Sequence, residues 1–407
     1  MKTPPEQSPA AGFGLSRYLL VVGVHGLLLA PLLSLLLHLP EAQNLFEKRA
    51  LADAPKWRPW HIAAWTFEAE AWLNDHFPQR ARVVQWNSFV RQRYLEGSST
   101  SVIVGRDGWL YFAGSGTADD ILGRTPLNAA ELEQWANVLA GRRAWLRQRG
   151  IGYLFVVVPN KSTIYPEHLP MILRWGRRPG RLDQLVAYLR SQTEVPVVDL
   201  RPVLTAAKED RLLYWPWDSH WNGYGLLAGS DEVVRAIGRL GVRAGVNDTS
   251  EWISVRMGDR AFDCVDLLGL RGRWPVHAVP ETHLIRPPDL EEVDSPVRHL
   301  PYWADQPPVM GVIVSERASG RGRIAMFCDS FFRAGGLPLD ALGDLPLKIQ
   351  FRRFASIWDT SDFEKLSAVV GIEHPEVVID ETTERLLGAV PAQNPEWEKA
   401  RLDRSAP

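Results

Sequence analysis

Hydrophobic and polar positions follow two alternating patterns along most of the chain. Residues 151–158 form a continuous apolar run, which is typical of a strand that is buried on both faces. Further strands are predicted at 195–200, 311–316, 322–328 and 376–380. Around these strands, helical patterns occupy 128–150, 182–190, 222–239 and 361–369. Strands that alternate with helices predict an α/β fold with a mostly parallel sheet covered by helices on both faces.

Local signals add further elements. SVIVG and WLYFAG stand on either side of Arg106-Asp107-Gly108, which predicts a hairpin with a glycine-containing turn. Asn128 precedes a helical run that stops at Gly150, so that run has a cap and a terminator. Residues 42–95 also carry helical spacing.

The N-terminal region contains an apolar run long enough to cross a bilayer. Residues 18–39 read YLLVVGVHGLLLAPLLSLLLHL and carry no formal charge. Pro31 would kink a membrane helix without forbidding it. We predict an uncleaved anchor over residues 17–40, with a cleaved signal peptide as the alternative. Basic residues flank both sides of the run, so the positive-inside rule does not choose its orientation.

The remaining segments are assigned by composition. Residues 1–16, rich in Pro, Ser and Ala, are expected to form a disordered cytoplasmic tail. One domain is expected over 41–388. Within it, 241–310 is rich in Pro and Arg with weak periodicity, which suggests an insertion over the rim of the sheet. Residues 389–407 are expected to be a polar tail.

Composition excludes some classes of protein. The 407 residues are 45% hydrophobic and 23% charged with a net charge of −2, so no basic field indicates nucleic-acid binding. Two cysteines, Cys264 and Cys328, make neither a disulfide framework nor a zinc site, although one bridge or two free thiols remain open. The 17 tryptophans fit either a packed core or stacking on sugar rings.

The stretch YWPWDSHWNGYG at 214–225 contains the candidate chemistry. Asp218 and His220 are two positions apart, and residues i and i+2 of an extended segment face the same way. The Asp218 carboxylate would then meet His220 Nδ1 and leave Nε2 for a nucleophile. Ser330 follows the apolar run 322–328, at a strand end where α/β sheets place their chemistry.

Other interpretations of these residues stay open. Asp218 and His220 also fit a metal-ligand pair or an Asx-turn beside a surface histidine, and Ser330 also fits a turn or a helix N-cap. No third histidine or carboxylate lies at metal-like spacing from the pair, so no metal is expected. No other cofactor is expected either.

Six blocks of sequence resemble one known family. WDSHWNGYG and FCDSFF resemble the D-x-H-W signature and the G-D-S-F-S-R nucleophile block of the periplasmic alginate O-acetyltransferase family, which has an SGNH-hydrolase-like fold. Four more blocks match that family in order, and all six lie between about residues 45 and 388: WLNDHFPQR, VIVGRDGWLYF, VVVPNKSTIYPEHLP and HPEVVIDETTERLL.

The resemblance implies a membrane-anchored periplasmic enzyme that acetylates hydroxyls of an exopolysaccharide. A membrane-bound O-acyltransferase at the inner membrane would pass acetyl groups to it. Ser330 would be the nucleophile, His220 the base and Asp218 the residue that orients it. Two positions depart from the family pattern: Cys328 replaces a glycine and Phe332 replaces a serine.

Further residues are assigned by position. Asn160 follows a predicted strand, so it is either an oxyanion donor beside the Ser330 N–H or a turn residue. Trp217 and Trp221 either pack the base or stack on a sugar. Three more residues are expected on rim loops, where each is either a contact for an anionic polymer or an acyl group or a solvated or structural side chain: Lys161, Tyr165 and Arg333.

Three functions are compatible with these features. The first is the acetyltransferase. The second is an acetylesterase, in which the same triad passes the acetyl group to water. The third is a non-catalytic polysaccharide-binding scaffold subunit, which would have no need of the triad.

Overall fold

The computed structural model describes most of the chain from residue 101 onward and short parts before it. The described residues are 52–57, 60–76, 101–244, 252–256, 262–276, 280–284, 287–307, 310–333 and 344–403, together with Tyr18, His25, Leu37, Arg80 and Val84. Two compact units divide the chain. One comprises Met1–Leu95 with Asp266–Leu270, and the other comprises Glu96–Val265 with Arg271–Pro407.

The first unit contains helix α1, Ile62–His76. Trp65, Ala69 and Trp72 recur at helical spacing and are half-buried, while Phe67 and Leu73 are exposed. The helical spacing within residues 42–95 therefore correctly predicts a helix in this range.

Eleven strands are formed by the described residues. They are β1 Val102–Val104, β2 Leu110–Phe112, β3 Gly152–Val158, β4 Val197–Asp199, β5 Trp252–Arg256, β6 Pro280–Leu284, β7 Leu290–Val293, β8 Val312–Arg317, β9 Arg323–Cys328, β10 Arg353–Trp358 and β11 Val377–Thr383. Strands β1 and β2 form the predicted hairpin, and β5 pairs with β6 in a separate antiparallel ribbon.

The other seven strands form one mixed sheet in the order β4-β3-β11-β9-β10-β8-β7. The five from β4 to β10 run parallel, whereas β8 and β7 join one edge antiparallel. The prediction of an α/β fold with a mostly parallel sheet is confirmed, with an antiparallel edge added. The carboxyl ends of β3, β11 and β9 meet at one rim, where the candidate site lies.

Twelve helices accompany these strands in the described part of the second unit, and α9 continues into the first. They are α2 Thr117–Ile121, α3 Ala129–Arg147, α4 Lys161–Ile164, α5 Met171–Gly176, α6 Arg181–Gln192, α7 Arg201–Ala207, α8 Gly223–Arg239, α9 Asp263–Leu267, α10 Ser330–Arg333, α11 Leu345–Lys348, α12 Phe363–Glu373 and α13 Pro395–Leu402. Asn128 and Glu131 form a capping box at the start of α3, so the predicted cap is confirmed.

Two hydrophobic cores lie on the two faces of the sheet because side chains of a strand alternate between faces. Leu154, Val156 and Val158 of β3 join the core that includes α7 and α8. Phe155 and Val157 join the other core, which includes α3, α6, α12 and α13. Helices therefore cover both faces, as the sequence predicts.

The C-terminal part contains structure that composition does not indicate. Residues 389–407, expected to be a polar tail, contain α13, which buries Trp397 against Trp145 and Phe363. The chain also has a strand that the hydrophobic pattern does not predict: β10 runs between β9 and β8 inside the sheet. The segment 241–310, expected to be an insertion, contributes β7 to the edge of the sheet.

The predicted membrane anchor lies outside the described residues apart from Tyr18, His25 and Leu37, and the predicted tail 1–16 lies outside them entirely. Across the part of the chain that the structure does describe, no helix has both the length and the hydropathy to cross a bilayer.

Candidate active site

The segment that carries Asp218 and His220 is a closed loop between α7 and α8. Tyr214 and Trp221 pair as an antiparallel bridge, and the Asn222 N–H donates to the Leu213 carbonyl at 2.8 Å. The Asn222 side chain then caps α8 by accepting from the Gly225 N–H. The expectation of an extended segment is wrong, because the bridge turns the chain back on itself.

The Asp218 carboxylate nevertheless meets the His220 ring. Asp218 Oδ1 lies 2.7 Å from His220 Nδ1 and also accepts the His220 backbone N–H at 3.0 Å. The second bond closes a short local turn of the Asx type. Asp218 therefore forms the Asx-turn and also contacts the His220 ring. Because a carboxylate only accepts, Nδ1 carries the proton and Nε2 of the neutral ring is an acceptor.

Ser330 completes a hydrogen-bonded series with this pair. It is the first residue of α10, directly beyond β9, and its Oγ lies 2.9 Å from His220 Nε2. The structure thus brings together Asp218, His220 and Ser330, residues that the sequence predicts as a triad.

The turn that presents Ser330 is fixed by Asp329 and β11. Asp329 Oδ1 accepts the Phe331 N–H at 2.8 Å, and Oδ2 accepts the Thr383 N–H at 3.0 Å. The Asp329 N–H in turn donates to Glu381 Oε2 at 2.8 Å. Burial, together with the nearby Asp329 carboxylate, raises the pKa of Glu381 well above its usual range.

Aromatic residues join the two halves of the site. The Trp221 indole N–H donates to the Phe331 carbonyl at 2.9 Å, and the Phe331 ring lies 4.9 Å from the His220 ring. Trp221 also packs edge-on against Phe332, and Trp217 packs on Phe262. Because both tryptophans are buried, these contacts favour packing over stacking on a sugar.

Lys161 lies inside the protein rather than on a rim. Its ammonium donates to the carbonyls of Trp215 (2.8 Å), Pro216 (3.0 Å) and Asp218 (2.6 Å), which uses all three N–H groups. Burial away from water lowers the pKa of Lys161 to about 8, although nearby Cys264, Asp218 and Asp263 oppose the shift. Of the two interpretations of Lys161, these contacts favour a structural side chain over a contact with substrate.

Tyr165 and Arg333 are buried as well, which favours a structural role over contact with substrate. The Tyr165 hydroxyl accepts the Leu213 N–H at 2.9 Å and supports the start of the loop. Arg333 Nη1 donates to the Ser356 carbonyl on β10 at 2.7 Å.

Asn160 lies at the expected rim, at the end of β3, which is separated from β9 by β11. Its backbone N–H donates to Glu384 at 2.7 Å. Two strand spacings correspond to about 10 Å, so Asn160 sits too far along the rim for a direct contact between its backbone and Ser330.

Neither departure from the family pattern disturbs the turn. Cys328 ends β9, and it is not among the described residues with positive φ, so its backbone is compatible with any side chain. Its buried thiol lies 3.7 Å from Ser356 Oγ, and burial raises its pKa. Cys328 and Cys264 are not joined by a disulfide, and Phe332 is fully buried.

Asp263 is a site residue that sequence reasoning missed. Its N–H donates to Asp218 Oδ2 at 2.9 Å, and its own carboxylate accepts from the Ser219 N–H (2.7 Å) and the Ser219 hydroxyl (2.5 Å). Asp263 Oδ2 lies 3.6 Å from His220 Nδ1. The residue falls in the segment without clear periodicity, and it follows His220 by more than 40 positions, so no spacing rule pointed to it.

The presence of Asp263 also revises the metal argument. Asp218, His220 and Asp263 offer ligand atoms within 4.8 Å of one another, so a third donor does exist. The carboxylate oxygens already accept hydrogen bonds from protein N–H and O–H groups, and Nδ1 already bonds to Asp218. The hydrogen bonds among these three residues therefore explain why they lie together without a metal ion.

This arrangement is suited to activating a hydroxyl group. Nε2 is placed to take the Ser330 proton while Asp218 holds the ring in the required tautomer. The Ser330 N–H has no protein partner among the described residues, so it remains available to a developing oxyanion.

Comparison with known proteins gives one family and several relatives. Residues 102–259 match the family described as "SGNH hydrolase-like domain, acetyltransferase AlgX". The chain is 26% identical over 157 residues to a probable alginate O-acetylase AlgJ of Pseudomonas aeruginosa, which is 38% of each chain. It is 26% identical over 178 residues to a protein of the same description from Pseudomonas syringae pv. tomato, which is 42% of each chain.

These matches confirm the predicted resemblance to the alginate O-acetyltransferase family, over less than half the length of the curated relatives. The family match includes Asp218 and His220 and ends before Asp263 and Ser330. Among solved structures, the O-acetyltransferase domain of Pseudomonas putida AlgJ superposes with a TM-score of 0.46 at 17% identity, covering 74% of this chain and 98% of that one.

Proposed function

We propose that this chain is a membrane-anchored periplasmic O-acetyltransferase that moves acetyl groups onto hydroxyls of an exopolysaccharide. The observation that carries the proposal is the series Asp218–His220–Ser330, with 2.7 Å between the first two side chains and 2.9 Å between the last two. The name of the relatives, probable alginate O-acetylase, supports acetyl transfer and a polysaccharide acceptor.

The first step loads the enzyme. Ser330 Oγ attacks the carbonyl carbon of the acetyl donor while His220 Nε2 takes the hydroxyl proton. The bond between that carbon and the leaving group then breaks, and the leaving group takes the proton back from His220. An acetyl ester on Ser330 and a free leaving group result.

The second step unloads it. A sugar hydroxyl gives its proton to His220 Nε2 and attacks the acetyl ester. The ester bond to Ser330 breaks, and Ser330 Oγ recovers the proton, so the enzyme returns to its starting state. In both steps Asp218 keeps the Nδ1 proton in place and stabilises the imidazolium.

Negative charge that develops on the acetyl oxygen needs a donor. The Ser330 N–H supports this role, because it lies beside the attacked carbon and has no protein partner among the described residues. The Asn160 backbone N–H already donates to Glu384, so its side-chain amide is the group of Asn160 that would donate to the oxyanion.

The acetyl donor and the location belong to the same proposal. Residues 17–40 would anchor the chain in the inner membrane and place the domain in the periplasm. A membrane-bound O-acyltransferase would there supply the acetyl group. The apolar run 18–39 and the family resemblance support this part.

One experiment separates the three functions. Full-length protein in detergent is incubated with p-nitrophenyl acetate, with and without acidic oligosaccharides, and analysed by intact mass. An acetylated intermediate that is unloaded faster by the oligosaccharide, with acetylated sugar as product, supports the transferase. Ester turnover without sugar acetylation would identify an esterase. No adduct and no turnover would leave the scaffold function.

A further inference from the structure

His220 faces two carboxylates, rather than one, at Nδ1, the ring nitrogen that does not contact Ser330. Asp218 Oδ1 is 2.7 Å from Nδ1, and Asp263 Oδ2 is 3.6 Å from the same nitrogen. Both carboxylates are almost completely buried, with side-chain exposures of 4% and 11%.

Asp263 forms hydrogen bonds with both Asp218 and Ser219, the two residues that precede His220. Its N–H donates to Asp218 Oδ2, the oxygen that does not face the ring. Its side chain holds Ser219, the residue between Asp218 and His220, through two hydrogen bonds. Ser219 Oγ lies 3.4 Å from Nδ1, so it is a neighbour of the ring as well as of Asp263.

Both carboxylates lie close enough to His220 Nδ1 to interact with a charge on the ring, at 2.7 Å for Asp218 and 3.6 Å for Asp263. Opposite charges attract strongly where water is excluded, so positive charge that develops on the ring when Nε2 takes a proton is stabilised by both carboxylates.

We propose that Asp263 is a positioning residue that acts through His220, holding Asp218 in place and stabilising the imidazolium that forms when Ser330 loses its proton. The inference rests on the proposed function, because it needs His220 to act as a base. Asp263 also compensates in part for Asp218, because it is the carboxylate that remains beside Nδ1 when the charge of Asp218 is removed.

A double-mutant cycle tests this role. Asp263→Asn keeps the backbone N–H and an oxygen for the Ser219 N–H while removing the charge. We expect it to slow acetylation of Ser330 by p-nitrophenyl acetate about fivefold in the wild-type background. In the Asp218→Asn background we expect a loss roughly tenfold larger, because coupled residues in one network are non-additive. Asp263→Glu, which restores the charge, should recover part of the rate.

The control is Asp289→Asn, which removes a carboxylate bonded to Arg317 away from the site. It should leave the acetylation rate unchanged. An equal loss from Asp263→Asn in both backgrounds, or a Glu variant no faster than Asn, would overturn the inference while wild-type acetylation still upheld the proposed function. Failure of the wild type to acetylate Ser330 would overturn both.

Discussion

The ammonium of Lys161 donates a 2.6 Å hydrogen bond to the backbone carbonyl of Asp218. Together with its bonds to the carbonyls of Trp215 and Pro216, this bond fixes the loop that carries both Asp218 and His220. The Leu110 N–H on β2 also donates to Pro216 at 2.8 Å, so the hairpin supports the same loop. The position of the Asp218–His220 pair thus depends on a charged group buried beneath it.

Lys161 should give the proposed activity an alkaline limit that unfolding does not explain. The pKa of Lys161 is lowered to about 8 from its ordinary 10.5, so between these values the unfolded chain binds the extra proton. This group therefore adds to the free energy of unfolding as pH rises. Activity should nevertheless fall as pH passes about 8, because the neutral amine binds the loop carbonyls more weakly.

Two variants check this limit. Lys161→Met should lower the free energy of unfolding by about 3 kcal/mol or more, because three carbonyls lose a buried donor. Lys161→Arg keeps a positive charge at high pH, so its activity should persist further into the alkaline range. The measurement is acetylation rate against pH beside urea unfolding. An unchanged alkaline limit in the Arg variant would contradict the role of Lys161.

Ser330→Ala should abolish acetylation, with a loss on the order of 10⁶ in rate, while the protein still folds. The hydroxyl bonds only to His220 Nε2 among the described residues, so little packing is lost. Intact mass after incubation with an acetyl ester measures the adduct. Ser356→Ala on the neighbouring strand β10 is the control. Activity within tenfold of wild type in the Ser330 variant would remove this residue from the mechanism.

Asp218→Asn should reduce both rate and stability. The amide cannot hold the Nδ1–H as a carboxylate does, a change that costs about 10⁴ in the serine-protease template; Asp263 should limit the loss to about 10² or 10³. The structure adds a stability cost, because an amide nitrogen at the Oδ2 position cannot accept the Asp263 N–H. That unmet donor costs about 1–3 kcal/mol.

Acetylation kinetics and thermal unfolding of the same Asp218→Asn preparation measure the two effects. A lowered thermal midpoint with an unchanged rate would mean that the loop is a packing motif alone.

Trp397→Ala should destabilise the fold without changing the chemistry. The indole is buried between Trp145 (ring centres 5.9 Å apart) and Phe363 (4.8 Å). Removing a core aromatic ring costs about 3–5 kcal/mol, which urea unfolding would detect. Leu402→Ala, at an exposed position of the same helix, should change stability by less than about 0.5 kcal/mol. Equal effects of the two substitutions would show that α13 does not pack on the domain.

The N-terminal run should tether the chain with residue 42 onward in the periplasm. A reporter fused after residue 407 should be active in the periplasm, and the protein should resist extraction from membranes by high pH. Replacing two leucines of the run 18–39 with arginines should release it, since charged residues cost about 2.5–3.5 kcal/mol each at a bilayer centre. Reporter activity confined to the cytoplasm would refute the orientation; a mature N-terminus near residue 42 would refute only the uncleaved anchor.

Much of the fold could be predicted from periodicity. β3 and β9 are runs of buried apolar residues, and α8 begins at a clear cap. By contrast, β10 begins with Arg353 and contains Ser356, so its pattern does not read as a central strand. Helix α13 has one large apolar residue, Trp397, within a charged segment. Such a segment has the composition of a tail, and the sequence does not show that Trp397 packs against Trp145 and Phe363.

Some residues of the candidate site could likewise be predicted from the sequence, and others could not. Asp218 and His220 could be found because the contact is local, and Ser330 could be found because strand ends meet at one rim. Lys161 follows a strand, a position at which lysine side chains are usually exposed to solvent. It is buried because the loop that carries Asp218 and His220 folds over it. Asp263 lies close to His220 because of the path of a long segment, and this path is not encoded in any short motif.

The hydrogen bond from Trp221 to the Phe331 carbonyl has a consequence for divergence within such proteins. Trp221 follows His220 and Phe331 follows Ser330, so the bond joins two motifs that are 110 residues apart. A one-residue insertion beside either motif should separate Nε2 from Oγ even if all three side chains of the series were kept. Exchanging one of the two loops alone between relatives should therefore leave the fold intact and lose the contact between His220 and Ser330.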